Sequence, residues 1–290
     1  MTVKKIGFID YFLDEWHANN HPAWMRDDIA AGGRAFEVAY AWADTEPNGK
    51  TDSRTWCEQQ GMTLITSIEE LVEQSDCLAV LSPDNPEHHE RLSAPALRSG
   101  KPVFIDKTFS PDLSSGIRIF DLAERHHTPV FSSSALRFAL ELSGFPDAKF
   151  NRDSLESVST TGPGTYEIYS VHQMENIIQL MGPAVRRVKS LSTPHTRMLI
   201  AEYETGRYAY MTQAPALPFQ IYMQASGEGK SRFIPTCSEF FPRQIHAILD
   251  FFETGNPPVP REDTLAVMAL REAGFRALAE EDTWIEVGKF

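Results

Sequence analysis

The sequence has few cysteines and no long apolar segment, and these absences exclude several classes of protein. The three cysteines, Cys57, Cys77 and Cys237, form no CxxC pair and are too few for a disulfide framework or a structural zinc site. No apolar stretch approaches the roughly 18 residues of a membrane span, and the first residues do not read as a secretory signal. We therefore expect a cytoplasmic protein without a membrane partner.

Basic residues are also scarce. Lysine and arginine number 27 against 40 aspartate and glutamate, which gives a net charge of -13. Proteins that bind nucleic acid need a basic surface for the phosphates, so this balance argues against a nucleic-acid partner. The 290 residues, 42% of them hydrophobic, are enough for two domains with sizeable cores.

Glycine is missing from the turn that follows the first predicted strand, residues 6–9. Gly7 lies inside that strand, and Asp10, Phe12 and Glu15 follow it. A turn that binds a diphosphate brings backbone amides close to the ligand at a helix N-terminus. Negative charge and bulk at these positions argue, on the residues alone, against ordinary dinucleotide binding.

Hydrogen-bonding and aromatic side chains fill the rest of this turn, in the run Asp14-Glu-Trp-His-Ala-Asn-Asn20. Such a run suits a polyhydroxyl ligand better than a phosphate, with His17 and Asn19 as the candidate contacts. A solvated loop is the alternative. Asp10, Asp14 and His17 also have the chemistry of metal ligands, but the following Asn-Asn-His-Pro run breaks helical spacing. We predict no metal site.

Strands and helices alternate over the first 130 residues. This alternation, without two-residue hairpin turns, predicts a Rossmann-type, doubly wound parallel sheet in an N-terminal α/β domain of residues 1–133. The predicted strands are 6–9, 36–42, 63–65, 77–81, 103–105 and 129–131, and the predicted helices are 23–31, 67–74, 87–99 and 111–126.

The remaining residues, 134–290, follow a different pattern. An amphipathic helix over 166–181 precedes five strands, two further helices and a last strand, which predicts an α+β domain with an open, mostly antiparallel sheet. One face of such a sheet needs cover. Alternating Tyr and Met residues in strands 208–213 and 220–225 favour a second subunit as that cover, and hence a homo-oligomer.

The strand at 103–105 ends in Asp106 and Lys107, before a helix predicted to start at Ser110-Pro111. The carboxyl edge of an open α/β sheet is where ligands bind. Burial lowers the pKa of a lysine and makes it a useful acid, and an ion pair with Asp106 is the alternative. Asp44 closes the second strand, where it would bond a ribose or cap a turn.

Several motifs taken together resemble the glucose–fructose oxidoreductase / inositol dehydrogenase (Gfo/Idh/MocA) family. They are Pro83…His89, Gly100-Lys-Pro-Val-Phe-Ile-Asp-Lys107, Arg137-Phe138, Gly164…Val171-His172 and Phe251-Phe-Glu-Thr-Gly-Asn-Pro-Pro258. The resemblance extends nearly end to end. It implies a Rossmann domain, an α+β domain whose sheet makes the oligomer contact, NAD or NADP as cofactor, and a sugar, cyclitol or related polyol as substrate.

The resemblance also implies roles for single residues. Lys107 and His172 match the family's catalytic lysine and histidine, whereas the family aspartate four residues before the histidine is replaced by Ile168, next to Glu167. Glu167 and Glu175 are the candidates to orient His172. The full set of predicted site residues is Lys107, His172 and Glu167 for catalysis; Gly7, Asp10, Phe12, Asp44, Ser82, Pro83, Asp106 and Lys107 for the cofactor; and His17, Asn19, Arg137 and Tyr169 for the substrate.

Two alternatives remain open, because the glycine loop is degenerate. One is a non-redox lyase or epimerase that uses Lys107 and His172 on a keto-sugar. The other is a non-catalytic sugar-binding protein on a decayed dehydrogenase scaffold that no longer binds NAD(P) normally. Retention of Lys107 and His172 argues against the second.

Overall fold

The computed structural model describes residues 2–227, 230–280 and 282–290. They form two compact units: the first contains the chain up to residue 133 together with 244–260, and the second contains 134–243 and the chain from 261 onward. The sequence prediction placed 244–260 in the second domain. These residues join the first unit because their apolar face packs there, with the Phe251 ring 4.9 Å from the Phe131 ring. In addition, Lys4 Nζ donates to the Phe252 carbonyl at 3.1 Å.

A six-stranded parallel sheet forms the centre of the first unit, in the order β3-β2-β1-β4-β5-β6. The predicted fold class is confirmed. The central strands read as almost uninterrupted apolar runs, because both faces of a doubly wound sheet are buried. The strands are β1 Lys4–Asp10, β2 Phe36–Ala43, β3 Thr63–Leu64, β4 Cys77–Val80, β5 Val103–Ile105 and β6 Val130–Phe131.

Five helices connect these strands: α1 Trp16–Gly32, α2 Ser53–Gln60, α3 Ile68–Gln74, α4 His89–Leu97 and α5 Leu113–Arg125. The Ser67 side chain caps α3 by accepting from the Glu70 amide, as its capping box predicts. The predicted start at Ser110-Pro111 is wrong, because Asp112 accepts from the Ser115 amide and caps α5. The sequence prediction contained no helix at α2.

The first helix differs most from its prediction. It begins at Trp16 rather than near residue 23 and continues through Pro22, so the predicted break at Asn-Asn-His-Pro is wrong. The Glu15 side chain caps its N-terminus, and Gly33, with φ of 61°, ends it in the left-handed conformation. Residues 16–20 of the run predicted to bind a polyhydroxyl ligand, with a solvated loop as the alternative, therefore form the first turn and a half of a helix.

The second unit contains a seven-stranded, mostly antiparallel sheet in the order β12-β11-β7-β10-β9-β8-β13. β7 was missed by the sequence prediction, since serines and threonines weaken its alternating pattern; it inserts between β10 and β11 and runs parallel to β10. The strands are β7 Leu155–Gly162, β8 Val185–Ser190, β9 Arg197–Tyr203, β10 Tyr208–Gln213, β11 Gln220–Ala225, β12 Ser231–Ile234 and β13 Ile285–Glu286.

Three helices complete the chain: α6 Tyr166–Met181, α7 Phe240–Thr254 and α8 Arg261–Ala279. In the second unit, α6 and α8 pack on one sheet face over buried residues such as Val158 and Met211. On the opposite face the strand register aligns Phe233, Tyr222 and Tyr210, which are 56%, 41% and 40% exposed. In the described part of the chain, no helix has the length and apolarity needed to cross a membrane.

Candidate functional site

Charged side chains are buried at the carboxyl edge of the first sheet. Asp10 ends β1, while Asp106 and Lys107 follow β5, and all three are less than 7% exposed. Parallel strands place their carboxyl ends at one edge, which is the ligand-binding edge of open α/β sheets. Buried charges need partners or shifted pKa values, so their surroundings define the chemistry of this edge.

The Lys107 ammonium is held by the loop after β4. Its Nζ donates to the Pro83 carbonyl at 3.3 Å and lies 3.3 Å from Asp84 Oδ1. The predicted alternative, an ion pair with Asp106, is not what holds Lys107, because only its backbone amide donates to that carboxylate, at 2.7 Å. Ser82, which precedes Pro83, adopts a left-handed backbone with φ of 67° that shapes this loop.

The Asp106 carboxylate instead contacts His17. His17 Nδ1 lies 2.5 Å from Asp106 Oδ2, with both side chains nearly inaccessible. Burial alone would raise the pKa of Asp106, but His17 holds that pKa below its ordinary value. The predicted substrate residue His17 is therefore brought together with the predicted cofactor residue Asp106.

One helical turn beyond His17 lies His21, a residue that the sequence prediction missed. Its ring centroid is 5.2 Å from that of His17, and its side chain is completely buried. Burial lowers the pKa of His21 to about 3, so the ring is neutral at physiological pH. The spacing of four residues was a usable signal, since it places both histidines on one helix face.

Two further carboxylates surround the N-terminus of α1. The Glu15 carboxylate accepts from the His17 amide at 2.7 Å and from the Ala18 amide. Burial raises the pKa of Glu15 to about 7. Burial, reinforced by the nearby Glu15, raises the pKa of Asp10 well above its usual range. The end of this helix thus carries acidic groups where a phosphate would otherwise meet its amides.

Asp44, the candidate ribose ligand, is paired with an arginine. Its two carboxylate oxygens accept from Arg91 Nη1 at 2.7 Å and Nη2 at 2.6 Å. Hydrogen bonding to Arg91 lowers the pKa of Asp44. The backbone amide of Asp44 also donates to the Asp10 carbonyl at 3.0 Å. This contact is consistent with the alternative prediction, in which Asp44 stabilises a turn and does not bind a ribose.

The other predicted residues of the first unit have contacts within the protein. A Cβ at Gly7 would lie 2.2 Å from Ser75 Oγ, so close packing of β1 on the end of α3 requires this glycine. The Phe12 ring lies 4.8 Å from Lys50 Nζ. Asn19 donates to Asp14 at 2.9 Å and accepts from the Trp56 indole at 2.6 Å, which makes it a structural residue of α1.

In the second unit, His172 lies on α6 with Ser134 as its partner. His172 Nδ1 is 2.6 Å from Ser134 Oγ, and that oxygen also accepts from the Leu136 amide. The Tyr169 and Phe219 rings flank the imidazole, each with a centroid distance of 5.6 Å. Ser134 fixes the orientation of the ring, and no sequence signal pointed to it.

Neither glutamate proposed to orient His172 does so. Glu167 is exposed, and five residues of α-helix turn it about 140° away from His172. Glu175 is buried and accepts from Arg137 Nη1 at 3.1 Å. Burial raises the pKa of Glu175.

Arg137, a predicted substrate residue, belongs to a buried ion network. Its second nitrogen lies 2.5 Å from Asp263 Oδ2, and Asp263 also pairs with Arg152 at 2.6 Å. Arg137 is only 8% exposed, so the structure commits its guanidinium to Glu175 and Asp263 rather than to a ligand. Tyr169, by contrast, is 38% exposed beside His172.

Comparisons with known proteins show that most of the first unit is similar to one family of enzymes. Residues 19–134 match the model of an oxidoreductase family with an NAD-binding Rossmann fold. This segment is similar to the Gfo/Idh/MocA family. No curated protein sequence matches the chain.

Solved structures of similar fold superpose over nearly the whole chain. GenD2 from gentamicin A biosynthesis, solved with NAD, has 14% identity and a TM-score of 0.77, covering 100% of this chain and 98% of its own. A putative myo-inositol dehydrogenase from Sinorhizobium meliloti has 14% identity and a TM-score of 0.75 (98% and 100% covered). The UDP-N-acetylglucosamine 3-dehydrogenase GnnA from Acidithiobacillus ferrooxidans has 12% identity and a TM-score of 0.76 (96% and 98% covered). These likenesses show the fold.

The NAD or NADP prediction agrees with the Gfo/Idh/MocA match, but the turn after β1 does not fit a diphosphate in the ordinary position. Glu15 occupies the α1 amides, and Asp10 adds a second carboxylate beside them. No group of three His, Cys, Asp or Glu side chains within residues 2–227, 230–280 and 282–290 is arranged to hold a metal ion.

Proposed function

We propose that this protein is a Gfo/Idh/MocA-type oxidoreductase that acts on a hydroxylated carbon of a sugar, cyclitol or related polyol. The observation that carries the proposal is the pair of proton-handling residues that the chain retains: Lys107, buried at the ligand edge of the first sheet, and His172, oriented by Ser134. The family match, to NAD-binding oxidoreductases, supports NAD or NADP as the hydride acceptor in this proposal.

Lys107 is the group proposed to bind the reacting oxygen. Its Nζ has one neutral carbonyl and one carboxylate as partners, and the carboxylate of Asp84 is 63% exposed. Such a partner is well solvated and weakly held, so the ammonium retains donor capacity for a substrate hydroxyl or carbonyl. Polarising that oxygen makes its proton easier to remove.

His172 is the group proposed to move the proton. When Nδ1 carries the imidazole proton and donates it to Ser134 Oγ, the other ring nitrogen of the neutral imidazole is unprotonated and can accept a proton. A histidine oriented in this way is suited to general acid–base work near neutral pH. Oxidation of an alcohol releases one proton from oxygen, and His172 would receive it.

A screen of sugars, cyclitols and related polyols with NAD and NADP, followed at the absorbance of the reduced nicotinamide, tests this function. Lys107→Ala and His172→Ala should each lower turnover by about 10²–10⁴-fold. The double variant should lose far less than the product of the two. The exposed Lys149 and His195 serve as matched controls, and their alanine variants should keep full turnover.

Two outcomes would contradict the assignment. Full turnover in His172→Ala with loss in Lys107→Ala would make the histidine structural and remove it from the proton transfer. Full activity in both single variants would remove these residues from the reaction altogether.

A non-redox lyase or epimerase acting on a keto-sugar is the second candidate, and the Glu15 contact with the α1 amides favours it. In that reaction Lys107 would polarise a carbonyl while His172 removes a proton from the neighbouring carbon, so no hydride acceptor is needed. Incorporation of solvent deuterium into a keto-sugar without added nucleotide would identify this chemistry. Strict dependence on added NAD or NADP would exclude it.

We also propose a homo-oligomer formed through the open face of the second sheet, with a second copy of this chain as the cover. The exposed row of Phe233, Tyr222 and Tyr210 supports it, because aromatic residues are enriched at protein interfaces. Sedimentation should show an oligomer at micromolar concentration. The double variant Tyr222→Lys/Phe233→Lys should sediment as a monomer, and a monomeric native protein would contradict the proposal.

A further inference from the structure

The backbone amides of the turn between β1 and α1 already have acceptors within the chain. The amides of His17 and Ala18 donate to the Glu15 carboxylate, and the Glu15 amide donates to the Leu13 carbonyl at 2.8 Å. The amides of Tyr11 and Phe12 stabilise the Asp10 carboxylate by hydrogen bonding. These are the groups that a bound phosphate would need in this position.

The turn carries acidic side chains where a phosphate site needs hydrogen-bond donors or cations. Asp10, Glu15 and Asp106 place three carboxylates around the start of α1, with His17 in contact with Asp106. Asp10 Oδ2 is buried without a hydrogen-bond partner among the described residues. Burial raises the pKa of Glu15 to about 7, so this carboxyl is partly ionised near neutral pH, and a diphosphate that approached it would meet like charge in a poorly solvated environment.

We propose that Glu15 is an internal competitor for the diphosphate of a dinucleotide. Its carboxylate takes the helix amides that the diphosphate would use, so the native chain holds NAD(H) and NADP(H) more weakly than the same turn without that carboxylate. This inference concerns the first unit alone and does not depend on the substrate or on the roles of Lys107 and His172.

The chemistry of position 15 gives an expected order of affinities. Glutamine keeps an amide oxygen that caps the helix but lacks the negative charge, so Glu15→Gln should compete less well than the native carboxylate. Glycine removes the side chain and exposes the amides, so Glu15→Gly should bind a dinucleotide more tightly still. The removal of one unfavourable charge contact corresponds to at least about tenfold in affinity, or ~1.4 kcal/mol.

Calorimetric titration of the full-length native protein and both variants with NADH and NADPH tests the proposal. Glu69→Gln is the matched control, because Glu69 is an exposed glutamate in the first turn of α3 that does not cap it. The control should bind like the native protein. Thermal unfolding verifies folding of the glycine variant, which loses the side-chain cap of α1, whereas the glutamine variant retains a capping oxygen.

Tighter binding by the position-15 variants, in the order glycine, glutamine, native, supports the proposal. Affinities of Glu15→Gln and Glu15→Gly no tighter than that of the native protein overturn it, whatever the native affinity is, including the case in which none of the three binds. Because the readout is binding, failure here leaves the catalytic assignment of Lys107 and His172 to its own activity test.

Discussion

The two units of this protein contain buried charges in different proportions. In the second unit, two arginines face two carboxylates in the chain Glu175–Arg137–Asp263–Arg152. At the sheet edge of the first unit, the three acidic residues Asp10, Glu15 and Asp106 outnumber the cations there, since His17 pairs with Asp106 and Lys107 is held by the loop after β4. When buried charges are balanced, removal of one partner destabilises the fold. When buried charges of one sign are in excess, their pKa values shift, and such shifts are typical of binding and catalytic sites.

Breaking the balanced cluster should have the largest effect on stability. Arg137→Met leaves Glu175 buried without its main cation, which should lower the free energy of unfolding by about 3–5 kcal/mol. Urea unfolding measures this value. Arg186→Met is the control, because Arg186 is 48% exposed opposite Glu202 and should cost less than about 1 kcal/mol. Equal losses in the two variants would mean that the buried network has no special role.

The acidic cluster should make stability depend on pH through Glu15. Its pKa is raised by burial from 4.5 to about 7, so between these values the folded state keeps a proton that the unfolded state has released. Stability from this group is therefore lost as pH rises from about 4.5 to 7, by up to about 3 kcal/mol.

Unfolding of native protein and Glu15→Gln at pH 5 and pH 8 tests this expectation. Asp10, His17 and Asp106 surround Glu15 and remain in both proteins, so the difference between the two pH dependences isolates Glu15. The variant should lose less stability between pH 5 and pH 8 than the native protein. Identical pH dependences would place Glu15 in an ordinary solvated environment.

His21 should act with the opposite sign. Burial lowers the pKa of His21 from 6.5 to about 3. Between these pH values the imidazole is protonated in the unfolded state but stays neutral in the folded state. The group should cost about 2 kcal/mol at pH 5 relative to pH 8. His21→Phe should remove this acid sensitivity, and at pH 8 it should be nearly neutral, because neither ring nitrogen has a hydrogen-bond partner in the described part of the chain. Persistence of the acid sensitivity would assign it to other groups.

The smallest effect is expected where charges are solvated. Asp44 and Arg91 form a bidentate pair, but their side chains are 24% and 55% exposed. Asp44→Ala should lower the free energy of unfolding by less than about 1 kcal/mol, and most of that loss should vanish in 1 M salt. A larger loss of unfolding free energy that does not depend on salt would mean that this pair stabilises the fold as much as the buried network does.

The fold was predictable because strand–helix alternation and helical periodicity are local signals. The predicted bounds of α6 and of two strands, β10 and β11, match the structure, and the capping box at Ser67 located α3. The errors have weak local signals. β7, which was missed, is rich in serine and threonine, and the start of α1 was placed too late because the helix contains a proline that a good cap and tertiary packing override.

The partners of the candidate site could be predicted only in part. Lys107 and His172 could be selected from the sequence, because Lys107 follows a predicted strand and His172 lies on a predicted helix, and both match family motifs. The partner of His172 is Ser134, 38 residues earlier, and the partner of Arg137 is Asp263, 126 residues later. Contacts over such distances depend on how the sheet brings elements together, which no local pattern records.

The discontinuity of the first unit has a consequence for biosynthesis. A ribosome that has released residue 133 has delivered all six strands of the parallel sheet, but not Phe251, which packs on Phe131, nor the Phe252 carbonyl, which binds Lys4 and the Cys77 thiol. The nascent chain therefore carries an uncovered apolar sheet face while more than a hundred further residues are translated. Because exposed apolar surface favours aggregation, we expect a chaperone to bind the nascent chain until residues 251 and 252 have emerged.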